Sequence, residues 1–139
     1  MSIFVEYTGN TQYYGSEHAA GLDLVAQDGA LLFTGSAFPF NTGFKVAIPQ
    51  GYCGEVRCRS SLGKMGIIIA GGVGTIDSDY RGDIIVPLIL LDGFVPVKIN
   101  KGDRIAQLVF TVAERAILLP VKKLPTTVRG DGGFGSTGR

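Results

Sequence analysis

Tryptophan is absent from the 139 residues, histidine occurs once, at His18, and the only cysteines are Cys53 and Cys58. One histidine and no C-x-x-C pair leave too few ligands for a zinc site or a dithiol redox centre. The two cysteines are five apart, so on one continuous strand they point to opposite faces, and both are expected to be free thiols. An excess of one charge is also missing: 13 basic and 12 acidic residues are scattered along the chain, for a net +1. That balance offers no broad footprint for duplex nucleic acid or an anionic membrane, so any polyanion bound here is small. No run approaches the ~20 apolar residues a bilayer span requires. The opening "MSIFVEYTGN" lacks a basic region followed by a long apolar stretch, so a soluble, intracellular protein, cytoplasmic or nuclear, is expected. Walker, H-E-x-x-H and G-x-S-x-G patterns are lacking. So are amphipathic helical periods, although "SSLGKM" could form one turn after a serine cap and "VAERA" another.

Glycine, by contrast, is abundant, at 21 residues. It punctuates β-rich runs such as "GFKVAIP" and "DIIVPLILL" and does not form a low-complexity block. Strands are predicted over Leu22–Ala26, Ala30–Phe33, Asn41–Ile48, Tyr52–Cys58, Ile67–Ala70, Val73–Ile76, Asp83–Leu91, Val95–Ile99 and Arg104–Thr111. Turn signals "QDG", "PQG", "LDG" and "NKG" separate several of them. The fold class expected is all-β, as a sandwich or jelly roll, in one domain of residues 1–128 with a glycine-rich tail over 129–139. "DIIVPLILL" does not alternate, which implies burial on both faces, and a chain of this size has little room for a further layer. Oligomerisation follows as an expectation.

Five polar, glycine-bearing islands interrupt the apolar strands: "AGLDL" (20–24), "RSSLGKMG" (59–66), "GVGTIDSDYRGDI" (72–84), "KGDRIAQL" (101–108) and "RGDGGFGSTG" (129–138). The last contains matches to G-x-G-x-x-G, but a dinucleotide fingerprint needs a strand before it and a helix after it, and the residues up to Arg139 leave no space for one. "RSSLGKMG" offers a guanidinium, two hydroxyls and the amides of a helix start, a set that can hold phosphate oxygens or merely cap a turn. Asp77 and Asp79 alone would read as turn formers, and Asp23 or Arg104 alone as a structural ion pair. All five islands, in this order, resemble the five motifs of the trimeric dUTP pyrophosphatases (dUTPases), and the resemblance spans residues 20 to 138.

That resemblance implies a distorted β jelly roll and a Mg²⁺-dependent hydrolysis of dUTP to dUMP and pyrophosphate, which keeps uracil out of DNA. By the same resemblance, Asp77 orients and deprotonates the attacking water, and Arg59, Ser60 and Ser61 hold the α- and β-phosphates. Tyr80 lies beneath the deoxyribose and leaves no volume for a 2′-hydroxyl. Uracil is read by the main chain of the hairpin through Gly71, Gly72, Val73, Gly74 and Ile76. The chain departs here from relatives that place an asparagine at the position of Gly71. Gln107 contacts phosphate, Asp23 pairs with Arg104 and reaches the metal through water, and the triphosphate itself holds most of the Mg²⁺ shell.

The ending "RGDGGFGSTGR" carries five glycines in eleven residues around one large aromatic, Phe134. Such a stretch cannot order itself, and the resemblance makes it a lid. Phe134 would stack on uracil, Arg129 would hold the γ-phosphate, and Gly135, Ser136 and Thr137 would meet the phosphates. The family is homotrimeric, with each tail closing over a site built by other subunits. Two rival readings stand beside this one: a nucleotide-responsive regulator using the same trimer and pocket, and a relative of the dCTP deaminases.

Overall fold

A computed structural model describes residues 2–138. The chain forms β1 (Glu6–Gly9), β2 (Tyr13–Tyr14), β3 (Leu22–Val25), β4 (Ala30–Leu32), β5 (Phe38–Asn41), β6 (Phe44–Ala47) and β7 (Tyr52–Arg57). A single helical turn, α1 (Ser60–Gly63), precedes β8 (Ile67–Ile69), β9 (Gly74–Ile76), β10 (Ile85–Leu90), β11 (Val97–Ile99) and β12 (Arg104–Val112). The order β2-β3-β12-β7-β9 makes a five-stranded sheet, β5-β10-β8 a three-stranded one, and β1-β6 and β4-β11 form two ribbons. The fold is all-β: short antiparallel strands wrapped around one core, as a jelly roll requires.

Strand alternation builds that core. In β3, Leu22 and Leu24 turn inward while Asp23 and Val25 stay part-exposed on the other face. In β10 the sequence is apolar throughout, yet burial alternates: Val86, Leu88 and Leu90 are at most 1% exposed, whereas Ile85 is 48% exposed. Burial of both faces was expected; within one chain only one face is covered, and Ile85, Pro87 and Ile89 form the open one. Pro87 sits opposite Pro39 of β5, a rung where neither residue has an N–H to donate.

Three local expectations are corrected. Asn41–Ile48 is not one strand, because Gly43 adopts φ +63 and breaks it between β5 and β6. Asn41 Oδ1 accepts from Gly43 N at 2.7 Å, and Thr42 donates its hydroxyl to Ile84 O at 2.7 Å, so the chain changes sheets at that corner. The turn at "SSLGKM" forms, but its cap position is Arg59, in extended backbone and without a side-chain cap. "VAERA" forms no helical turn: Val112 ends β12, and residues 113–128 continue without regular structure. β1 and β2 escaped the sequence reading because every residue of both is exposed, which leaves no alternation to detect. Among the described residues no helix is long and apolar enough to cross a membrane.

The corner has a counterpart at Gly9, which ends β1 with φ +84 and lies so close to Gly43 that a Cβ there would stand 2.0 Å from its carbonyl oxygen. Gly9→Ala therefore meets a left-handed backbone and a backbone clash together, and should cost at least about 2 kcal/mol. The check is thermal unfolding of the variant against the parent; an unchanged midpoint would contradict the close approach.

Candidate active site

The first, second and fourth islands meet on the outer face of the five-stranded sheet. Asp23 points outward from β3, beside Gln107 of β12, which in turn sits beside Arg57 of β7. Arg104 and Gln107 are three residues apart and would face opposite ways on a regular strand. The register between β12 and β3 shifts between Arg104 and Ala106, and Ile105 and Ala106 are both buried. This irregularity, a β-bulge, restores Arg104 and Gln107 to one face. The Asp23 carboxylate then lies between two guanidinium groups, 3.6 Å from Arg59 Nε and 3.5 Å from Arg104 Nη1. Arg59 also donates to Arg104 O at 3.2 Å, and Gln107 Nε2 donates to Cys58 O at 3.1 Å.

These groups line a 430 Å³ cavity together with Ser60, Ser61 and the loop at Gly15, Ser16, Ala19, Ala20 and Gly21. The first residues of that loop were not found from sequence; nothing but their nearness to "AGLDL" signals them. Gly21 has a packing reason, since a Cβ there would stand 2.3 Å from Gln107 Oε1. The amides of Ser60 and Ser61 open α1 and have no acceptor within the helix. The cavity thus combines two cations, three serine hydroxyls, the two amides that open α1 and one amide side chain, with Asp23 as the single carboxylate. Among the described residues no group of three His, Cys, Asp or Glu side chains is placed to hold a metal ion.

Asp77 lies elsewhere. β9 pairs with β7 so that Ile76 faces Gly54, and Asp77 follows beside Cys53, the two lining one 720 Å³ cleft. Asp77 accepts Tyr80 N–H at 3.1 Å, and Arg81 Nη1 donates to Ser78 O at 2.7 Å and to Tyr80 O at 3.0 Å, closing the turn. Arg81 stands in the third island, but nothing in the sequence assigned it this turn-closing role. Thr75, Ile76, Asp77, Tyr80, Asp83 and Ile85 enclose a smaller cavity of 160 Å³. That is less than the about 300–1,000 Å³ of a complete small-molecule pocket, so it is too small to enclose a whole nucleotide. Gly71, Gly72 and Val73 form the exposed tip between β8 and β9, Gly71 and Gly72 at φ +85 and +83, outside that lining; Gly74 packs over Val56.

The tail is a third group. Arg129 Nε donates to Gly132 O at 2.8 Å, and among the described residues every hydrogen bond of 127–138 closes within that stretch. Phe134 is fully exposed and has φ +52. Gly135, Ser136 and Thr137 are exposed beside it, and Arg139 lies outside the described residues. One chain therefore does not bring the site residues together. Cys53, beside Asp77, and Arg59 are separated by six residues of extended chain, about 20 Å at ~3.3 Å per residue.

A dUTPase family model matches residues 9–138. The chain is 48% identical over 126 residues to the deoxyuridine 5′-triphosphate nucleotidohydrolase of Zymomonas mobilis, covering 90% of this chain and 86% of that one. It is 43% identical over 126 residues to the protein of the same name from Thermobifida fusca, covering 90% and 70%. Among solved structures it resembles a Staphylococcus bacteriophage 80alpha dUTPase mutant with dUpNHpp, with TM-score 0.87, 22% identity and coverage of 99% and 100%. A mutant dUTPase of phage phi11 of S. aureus, described with a structural Mg(II) ion, superposes with TM-score 0.77, 20% identity and coverage of 87% and 98%. With a family match across nearly its whole length and relatives at 43–48% identity over 90% of it, the chain belongs to the dUTPase family.

Proposed function

We propose that the protein hydrolyses dUTP to dUMP and pyrophosphate, in a homotrimer whose sites each combine residues of several subunits, acting on the intracellular nucleotide pool. The observation that supports this assembly is the length of β7: one chain holds a phosphate cavity at one end and the Asp77 cleft at the other, about 20 Å apart. A base must reach its water at ~2.6–3.2 Å, so Asp77 of one copy serves a phosphate held by another. The open apolar face of β10 and the exposed 113–128 stretch suit contact between copies.

In this reading Arg59 and the Ser60 and Ser61 hydroxyls hold the α- and β-phosphates, with Ser60 near the bridging oxygen that leaves. Asp77 accepts a proton from water as it attacks the α-phosphorus. Gln107 and Arg59 meet the negative charge that develops there. Tyr80 supports the deoxyribose, and the main chain at Gly71–Gly74 and Ile76 reads uracil. A buried edge matched to uracil leaves polar groups unpaired against cytosine, which can discriminate by about 10⁴ or more. The tail of a further copy closes the site, Phe134 on the base, Arg129 on the γ-phosphate, and Gly135, Ser136 and Thr137 around the phosphates.

The donor set fits Mg²⁺ in one way: Asp23, already engaged by two arginines, reaches it through water, and phosphate oxygens supply the remaining protein-independent shell. Bound there, the ion would neutralise triphosphate charge and polarise the phosphoryl oxygens.

Pyrophosphate release with Mg²⁺ should be rapid from dUTP and negligible from dTTP, dCTP and UTP at equal concentration. Asp77→Asn should abolish it while dUTP binding and assembly mass persist; dUTP bound without release by the parent protein would favour a binding role over hydrolysis. Mixed and reassembled with inactive Arg59→Ala chains, Asp77→Asn chains should regain activity, as about a quarter of the sites then draw both intact residues from different copies. No recovery in verified mixed trimers would place both residues in one chain's site. Removal of residues 129–139 should leave the assembly folded and its turnover severely reduced, and full activity of that truncation would exclude the lid.

A further inference from the structure

Tyr80 is held from below and from the side by its own turn and, through Asp83, by Asn41, contacts that the roles assigned above do not use. Its hydroxyl donates to Asp83 O at 2.9 Å, and its N–H to Asp77 O at 3.1 Å. Under the ring lies Gly82, where a Cβ would stand 2.4 Å from the Tyr80 hydroxyl oxygen, 2.7 Å from Cζ and 3.1 Å from Cε1. Gly82 is not among the glycines with positive φ. Its backbone would accept a side chain, and what a side chain there removes is the seat of the ring. The hydroxyl's acceptor is fixed in turn. Asn41 Nδ2 donates to the Asp83 carboxylate at 3.0 Å, while Asn41 Oδ1 takes Gly43 N at 2.7 Å. The next residue, Ile84, is bonded on both sides, its N–H to Phe44 O at 2.9 Å and its carbonyl to the Thr42 amide at 3.1 Å and hydroxyl at 2.7 Å. The ring remains 42% exposed toward the 160 Å³ cavity that it lines with Asp77.

We propose that Gly82 and the Asn41–Asp83 pair are positioning residues that set the height of the Tyr80 ring, and thereby the preference for a 2′-deoxy over a 2′-hydroxy nucleotide. The inference rests on the reading above that places Tyr80 beneath the sugar. Two opposite errors in ring height are then possible, and they have different kinetic signatures. A methyl group at position 82 lifts the ring into the sugar's space, which weakens dUTP without admitting UTP. Loss of the Asn41 tether lets Asp83 and the ring drop, which makes room for a 2′-hydroxyl while Asp77, held by its own turn, keeps its place.

The test compares kcat and KM for dUTP and UTP in four single variants and one double variant, each verified as folded and assembled. Gly82→Ala should raise KM for dUTP about tenfold, with UTP still refused. Asn41→Asp keeps the acceptor for Gly43 N but sets a second carboxylate against Asp83. It should raise the UTP/dUTP ratio of kcat/KM about threefold to tenfold with kcat on dUTP little changed, the size expected of one hydrogen bond. Tyr80→Phe, which removes the tethered hydroxyl, should move the ratio the same way. Tyr80→Ala tests the underlying reading and should relax the ratio most; in its background Gly82→Ala should add nothing, because the group through which it acts is gone. If Tyr80→Ala relaxes the ratio but Gly82→Ala and Asn41→Asp leave KM and ratio unchanged, the positioning inference is wrong and the sugar reading stands. If Tyr80→Ala leaves the ratio unchanged, the sugar reading fails and the inference falls with it.

Discussion

Side chains alternate across a β-strand, and in this protein that rule decides which polar groups can share a site. Leu22 and Leu24 take the inner face of β3, so Asp23 is left on the outer one. On β7, Gly54 and Val56 are buried, and Glu55 and Arg57 face outward in the same plane as Asp23 and Gln107. The one place where the rule must be broken is β12, where Arg104 and Gln107 share a face only because of the bulge between them. Remove that irregularity and Arg104 would take the inward face of Ala106 and Leu108, where an unpaired guanidinium has no partner, and Ile105 would turn outward.

The Asp23 carboxylate gives this face its electrostatic order. It is 16% exposed and lies between Arg59 and Arg104, whose side chains are 24% and 56% exposed. At that exposure the Arg104 pair contributes little to stability, about 0–1 kcal/mol after solvent screening. Its effect is geometric: two cations that would repel each other are kept together near two serine hydroxyls. With one carboxylate against two guanidinium groups, the cavity keeps a net positive charge, the condition the proposed triphosphate site needs. The Asp77 turn is built by different means, with backbone carbonyls tied by Tyr80 and Arg81 and, among the described residues, no basic side chain bonded to Asp77.

Much of this was legible in the linear order of residues. Each of the nine predicted strands overlaps an observed one, and the buried positions of β3 and β7 follow from apolar alternation. The exceptions share a cause. β1 and β2 have no buried face, and the break at Gly43 depends on bonds to Ile84, forty-odd positions away. The unbroken apolar run of β10 signalled a face that needs cover, though not what covers it. In the site, wording such as "TIDSDYRG" marked Asp77 and Tyr80, but it does not tell what Gly82 at its end touches, and Asn41 and Gly15 carry no local signature. Their roles consist of contacts made across the chain.

The sequence by itself determined the all-β class, the inventory of polar islands and the family to which they belong, because alternation, glycine turns and motif wording are local properties of the chain. Only the tertiary structure decided that the islands divide into separate groups, with the Arg59–Ser61 cavity and Asp77 at opposite ends of β7 and, among the described residues, the 127–138 stretch bonded only within itself. The reason is physical: a strand has fixed rise and parity, so the distance between two motifs in space depends on pairing, bulges and the direction of neighbouring strands, none of which is written at the motifs themselves.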